Sequence, residues 1–176
     1  MILKPQDVVI LLKLATLGRE PWTYQRLAVD LGMSSSEVHA GVRRAVAARL
    51  MSDAASATGR PVLPALLEFL VHGVRYVYPP ERGALTAGMP TGYAAPPLNE
   101  VIVQPNEPPP VWPYAEGKVR GYSFAPLYPS VPAAAARDAK LYELLALVDA
   151  IRDGRARERS LAAKELQARL ATRVPA

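Results

Sequence analysis

Hydrophobic positions in the N-terminal part of the chain repeat at helical spacing, in three runs separated by turn residues. In PQDVVILLKLATL, residues 5–17, the residues Val8, Leu11, Leu12 and Ala15 share one face. Pro5 suits the first turn of such a helix, where its missing N–H removes no bond. A second helix begins after Thr23, a side chain able to cap it, with Leu27, Ala28 and Leu31 at core spacing and Trp22 placed to close the core. Gly32 then permits a sharp turn. Ser34 caps a third helix, Glu37 sits where it can complete a capping box, and Val38, Val42, Ala45 and Val46 form the inward stripe. Ser35, Ser36, His39, Arg43 and Arg44 remain as the outward set. Gly41, inside that helix, costs about 1 kcal/mol relative to alanine, so its place between the valines implies a close approach by another helix or by a duplex.

Further along, Leu66, Leu67, Leu70 and Val71 give an apolar face to a helix over 63–72, ended by Gly73, and Val74–Tyr78 reads as a short strand. His72 reads as a helix-end residue. From Pro79 to Pro132 the pattern changes: thirteen of the chain's eighteen prolines lie here, which excludes long helices. Val101, Ile102, Val103, Trp112, Tyr114, Val119, Tyr122, Phe124, Leu127 and Tyr128 are too many apolar anchors for a solvated tether. An extended arm with short strands, packed over the helices or over a second subunit, is the expectation. Within it PPPVWP also fits a ligand for a proline-reading module. After Asp138, a third capping residue, Leu141, Leu144, Leu145, Val148 and Ile151 predict a helix stopped by Gly154, and a second helix over about 155–172 carries Leu161, Leu166 and Leu170 among arginines, with Glu158 and Glu165 interleaved. This is a helical hairpin with one apolar side, to be buried on the chain's own core or against a second copy.

The expected architecture is therefore mainly α, in three parts: a helix-turn-helix domain over 1–78, a proline-rich extended arm over 79–132, and a C-terminal hairpin over 133–176. Half of the 176 residues are hydrophobic, enough for a core, and there is no cysteine, which excludes disulfides, thiolate nucleophiles and zinc–thiolate sites. Pro5, Gln6, Asp7 and Lys13 interrupt any leader-like run, and no apolar stretch is long enough for a membrane span, so a soluble, cytoplasmic protein with no membrane partner is expected. The net charge of +5 is unevenly spread. Nine basic residues face six acidic ones in 1–78 and again in 133–176, against three and four in 79–132. Two histidines thirty-three residues apart, with no metal-ligand spacing, phosphate loop or nucleophile elbow, leave no catalytic, cofactor or metal constellation, and the chain reads as a non-enzyme.

The stretch LAVDLGMSSSEVHAGVRRAV resembles the recognition unit of the winged helix-turn-helix family of bacterial transcription regulators, over the first third of the chain. The resemblance implies that the third helix enters the major groove of duplex DNA, with Thr23, Ser34, Ser35, Ser36, His39, Arg43 and Arg44 as the contact set. Short hydroxyls reach phosphates or base edges, and arginine can take guanine bidentately. It also implies a wing after that helix. Met51–Pro61 is short and poor in β-branched residues, and Arg60, beside Gly59, is its one wing-type phosphate contact. The function this implies is sequence-specific duplex DNA binding by a homodimeric transcriptional regulator, with repression by occlusion the simplest mechanism. Two alternatives stand beside it: a protein-interaction module, such as an antitoxin-like or adaptor protein whose proline-rich arm and hairpin grip a protein partner, with DNA binding secondary or absent, and an accessory factor for DNA replication or plasmid maintenance that uses the same fold.

Overall fold

The computed structural model describes residues 1–52 and 58–171. Three helices open the chain: α1 (Pro5–Leu17), α2 (Tyr24–Leu31) and α3 (Ser35–Ala47). Each starts where capping chemistry puts it. The backbone N–H of Lys4 donates to Asp7 at 2.8 Å, the hydroxyl of Thr23 accepts the N–H of Arg26 at 3.1 Å, and Ser34 and Glu37 exchange bonds at 3.1 and 2.9 Å. Gly32 turns the chain in the left-handed region, φ 64° and ψ 36°, and its N–H returns to the end of α2.

Beyond α3, Leu50–Ser52 and Arg60–Val62 run antiparallel, with Ser52 N–H donating to Arg60 O at 2.8 Å and Val62 N–H to Leu50 O at 2.8 Å. Residues 53–57 of the expected wing lie outside the described residues. Next come α4 (Leu63–His72) and the short α5 (Val74–Val77). The strand expected over Val74–Tyr78 is thus helical. Gly73 stays in right-handed backbone at φ −113°, ψ −42°, and its carbonyl accepts from Val77, so the chain coils on. Val74 is fully buried where α5 meets the C-terminal hairpin, and that packing overrides the β preference of the segment.

The proline-rich part holds β1 (Arg82–Pro90), β2 (Pro110–Pro113) and β3 (Val119–Phe124), with 3₁₀ turns over 92–94 and 98–100 between β1 and β2. β1 is antiparallel to both other strands, with Gly88 opposite Pro113 and Leu85 opposite Tyr122, while β2 and β3 are parallel, closing a small three-stranded barrel. The protein is thus mainly helical with a small sheet. Trp112, Phe124 and Leu127 are buried as expected, whereas Val101, Val103 and Tyr122 are exposed, because their side chains lie on the outer side of loop and barrel.

The chain closes with α6 (Val131–Ala136), α7 (Ala139–Asp153) and α8 (Ala156–Ala171). Every residue from Leu144 to Arg152 is buried, for α7 is packed by α1, α5, α6 and α8. The apolar side of the hairpin is occupied by the chain's own core. That core includes residues of all three expected parts, so the boundaries at 78/79 and 132/133 mark changes of composition and not of packing. Among the described residues no buried side-chain polar atom lacks a hydrogen-bond partner. Asp149 accepts bonds from the Thr91 hydroxyl, the Trp112 indole N–H and the Arg152 guanidinium, each at 2.7 Å, tying the barrel to α7. Burial pushes the Asp149 carboxyl up from the ordinary carboxylate range, and these three donors oppose that shift. Lys13 of α1 bridges Asp138, the α7 cap, at 2.8 Å and Asp30 of α2 at 3.4 Å.

Candidate nucleic-acid interface

The outward side of α3 is narrower than the sequence suggests. Successive helical residues are about 100° apart, so Arg43 and Arg44 cannot share a face. Ser36, His39 and Arg43 fall on one exposed stripe, beside exposed Ser34 and Ser35 at the N-terminus. Arg43 has no hydrogen bond or ion pair among the described residues. The ring of His39 stands edge-on to Tyr24 at 5.1 Å, and Tyr24 in turn to Trp22 at 5.3 Å, which anchors the stripe to the core of the unit. Arg26 on α2 and Arg49 just past α3 add exposed positive charge. Thr23 and Ser34 are exposed as well, with their hydroxyls already accepting cap bonds.

Arg44 is a correction. Its side chain turns inward beside Gly41 and clasps Asp7 of α1, with Nε to Oδ2 and Nη2 to Oδ1 both at 2.7 Å. The Asp7 side chain is fully buried and that of Arg44 only 13% exposed. The hydrogen bonds that Arg44 donates to Asp7 raise the Arg44 pKa further, against the lowering effect of burial. Gly41 is the reason it fits. A Cβ there would lie 2.5 Å from Ile10 Cδ1 and 2.9 Å from Asp7 Oδ1, so the close approach inferred from this glycine is that of α1. Arg60 is engaged too. Its guanidinium donates to the carbonyls of Gly59, Arg19 and Glu20 at 2.9–3.1 Å, stitching the segment after α3 to the α1–α2 loop. In this arrangement it acts as a brace for backbone carbonyls, and three of its donors are unavailable to a phosphate.

The sequence alone did not expose one further set of contacts. The segment after β3 folds back onto the turn between α2 and α3: Tyr128 donates to Glu37 at 2.6 Å, Ser130 to Leu31 O at 2.5 Å, and Arg137 to Asp30 O at 3.2 Å. Tyr128 was legible as an apolar anchor, but its hydroxyl's partner lies ninety-one positions away, beyond any local pattern. The bond from Tyr128, followed by those from the backbone and side chain of Ser34, holds the Glu37 carboxyl below its ordinary value of 4.5. A carboxylate depressed by folding contributes stability above its unfolded pKa and loses it as pH falls through the folded value. The stability difference between wild type and Glu37→Gln is therefore expected to be constant at neutral pH and to shrink below about pH 4.5. Urea titrations across pH 3–7 check this, and a difference that grows on acidification would contradict the cap geometry.

No protein-family model, curated protein or solved structure matches the chain. Among the described residues no helix is long and apolar enough to cross a membrane.

Proposed function

We propose that the α2–α3 unit binds duplex DNA in a sequence-selective way, as a transcriptional regulator of the winged helix-turn-helix type acting by occlusion. The observation that carries this reading is the exposed stripe Ser36, His39 and Arg43 on a doubly capped helix that follows a left-handed Gly32 turn. Arg43 is its one long cationic side chain, it has no intramolecular partner among the described residues, and its length suits a guanine edge in the major groove. Ser35 and Ser36, near the helix N-terminus, serve phosphates. A single recognition helix covers few base pairs, so two copies on half-sites about one helical turn apart complete the reading, with a homodimer as the working species. Since the hairpin's apolar side is already buried, that dimer would form through other faces, and sedimentation of the full chain with and without DNA gives its stoichiometry.

The test is selection of bound duplexes from a random pool, followed by anisotropy titration of wild type and Arg43→Ala. The variant is expected to fold as the wild type does and to lose about 1–3 kcal/mol on the selected sequence, with relaxed preference at one base position. Equal loss on selected and random duplexes would reduce Arg43 to a phosphate contact; no enrichment of any sequence would sink the reading. A second reading, a protein-partner adaptor, draws on the exposed Tyr76 and Val77 on α5. The replication or plasmid-maintenance role would use the same α3 surface and differ only in which duplex is selected.

A further inference from the structure

Away from α3, several polar groups around one cleft have no hydrogen bond or ion pair among the described residues. It has a volume of about 400 Å³ and opens between the proline-rich segment, β3 and the α7–α8 corner. That size lies within the roughly 300–1,000 Å³ of small-molecule sites. Three arginines and three acids line it, so the wall as a whole is electrically balanced. Some of these charges already have work. Arg82 pairs with Asp153 at 2.6 Å and lies over the Phe124 ring, and Glu158 accepts the backbone N–H of Arg155 at 3.0 Å. The guanidinium groups of Arg155 and Arg157, the carboxylate of Glu107 and the hydroxyl of Tyr93 have no hydrogen bond or ion pair among the described residues.

Tyr93 shares the cleft wall with these groups. Burial raises its hydroxyl above the ordinary tyrosine value, Glu107 and Glu158 push the same way and Arg82 and Arg155 oppose them, and all of these residues line the one cleft. The remaining wall is apolar, with Ile102, Val103 and the ring of Tyr122 among its residues. A balanced wall gives no net attraction to a simple anion or cation. Free donors and a free acceptor in the same cleft do favour a ligand that carries both charges.

We propose that this cleft binds a zwitterion with an apolar side chain, a free apolar α-amino acid, its carboxylate held by Arg155, Arg157 and the Tyr93 hydroxyl, its ammonium by Glu107, and its side chain against Ile102, Val103 and Tyr122. The pairing uses arginine for the planar carboxylate and a carboxylate for the point charge of the ammonium, as their geometries favour. Nothing in this site touches α3, so the outcome of the DNA experiments bears on it in neither direction.

The test is titration of the ¹⁵N-labelled full chain with three probes: L-phenylalanine, 3-phenylpropionate, which lacks the ammonium, and 2-phenylethylamine, which lacks the carboxylate. L-Phenylalanine should give saturable shifts at the amides of Tyr93, Ile102 and Arg155, with a dissociation constant roughly tenfold or more below either analogue. Glu107→Gln should erase its advantage over 3-phenylpropionate while leaving that analogue's binding in place. The double variant Arg155→Ala with Arg157→Ala should erase the advantage over 2-phenylethylamine. All three positions are exposed, so unchanged melting temperatures are expected for the variants. Absence of saturable shifts up to about 10 mM, equal binding of the three probes, or variants that keep the wild-type preference would each overturn the assignment.

Discussion

Trp112→Ala is expected to lower the stability of the protein by about 3–5 kcal/mol, the range for truncating a large aromatic in a close-packed interior. The indole is fully buried, its ring lies 5.7 Å from that of Tyr142, and its N–H is one of the three donors that hold Asp149. The alanine variant therefore leaves a cavity and a buried carboxylate short of a donor, two costs that act together. Trp112→Phe keeps most of the ring and loses only the donor, so its loss should be the smaller of the two. Urea denaturation followed by far-UV circular dichroism gives both values. A loss below about 1 kcal/mol for the alanine variant would mean that the proline-rich segment peels away without disturbing the rest. Limited proteolysis gives an independent reading. Rapid cutting throughout residues 95–130 is the outcome inconsistent with the buried position of Trp112.

Arg44→Ala should be nearly as damaging, at about 3–5 kcal/mol, because it leaves the Asp7 carboxylate buried without its counter-charge. Replacing both partners by apolar residues of similar volume, Asp7→Leu with Arg44→Met, should recover much of that loss, since the cost lies in the unpaired charge. The contrast with Arg43 is sharp. Two neighbouring arginines on one helix separate into an exposed group, proposed to contact DNA, and a largely buried group whose removal is expected to destabilise the fold. Thermal melts of the two alanine variants alongside wild type settle the matter, and an Arg44→Ala protein as stable as wild type would remove the ion pair from the account.

Much of the helical content was legible because its signals are local. Thr23, Ser34 and Asp138 cap the helices they should, Gly32 takes the left-handed turn, and the periodic leucines of α7 face the core. What escaped the sequence depends on partners distant along the chain. Arg44 reads as outward only until Asp7, thirty-seven positions earlier, is placed beneath it. One signal was available: Gly41 lies one helical turn before Arg44, and a glycine that admits another helix also directs its neighbours toward that helix. Val74–Tyr78 had the composition of a strand, yet the buried Val74 and the right-handed backbone at Gly73 coil it. The aromatic anchors of the proline-rich part correctly announced a packed segment. Their residue types could not say that three strands would close on one another, because that closure depends on register between stretches far apart. On α3, Ser36, His39 and Arg43 were read correctly as a surface set, and the fold-back of Tyr128 onto Glu37 could not be read at all.

The central position of α7 has a consequence for the order in which the protein is made. α1 packs against both α3 and α7, yet α3 ends at residue 47 and α7 starts at residue 139. At synthesis rates of roughly 5–20 residues per second, the ribosome needs about 5–20 s to cover that interval. Throughout it the nascent chain carries α1 with one apolar side uncovered, because the helix meant to cover it does not yet exist. The side of α1 that α7 covers is thus translated well before its cover, and during that interval its apolar surface is open to contact with other chains.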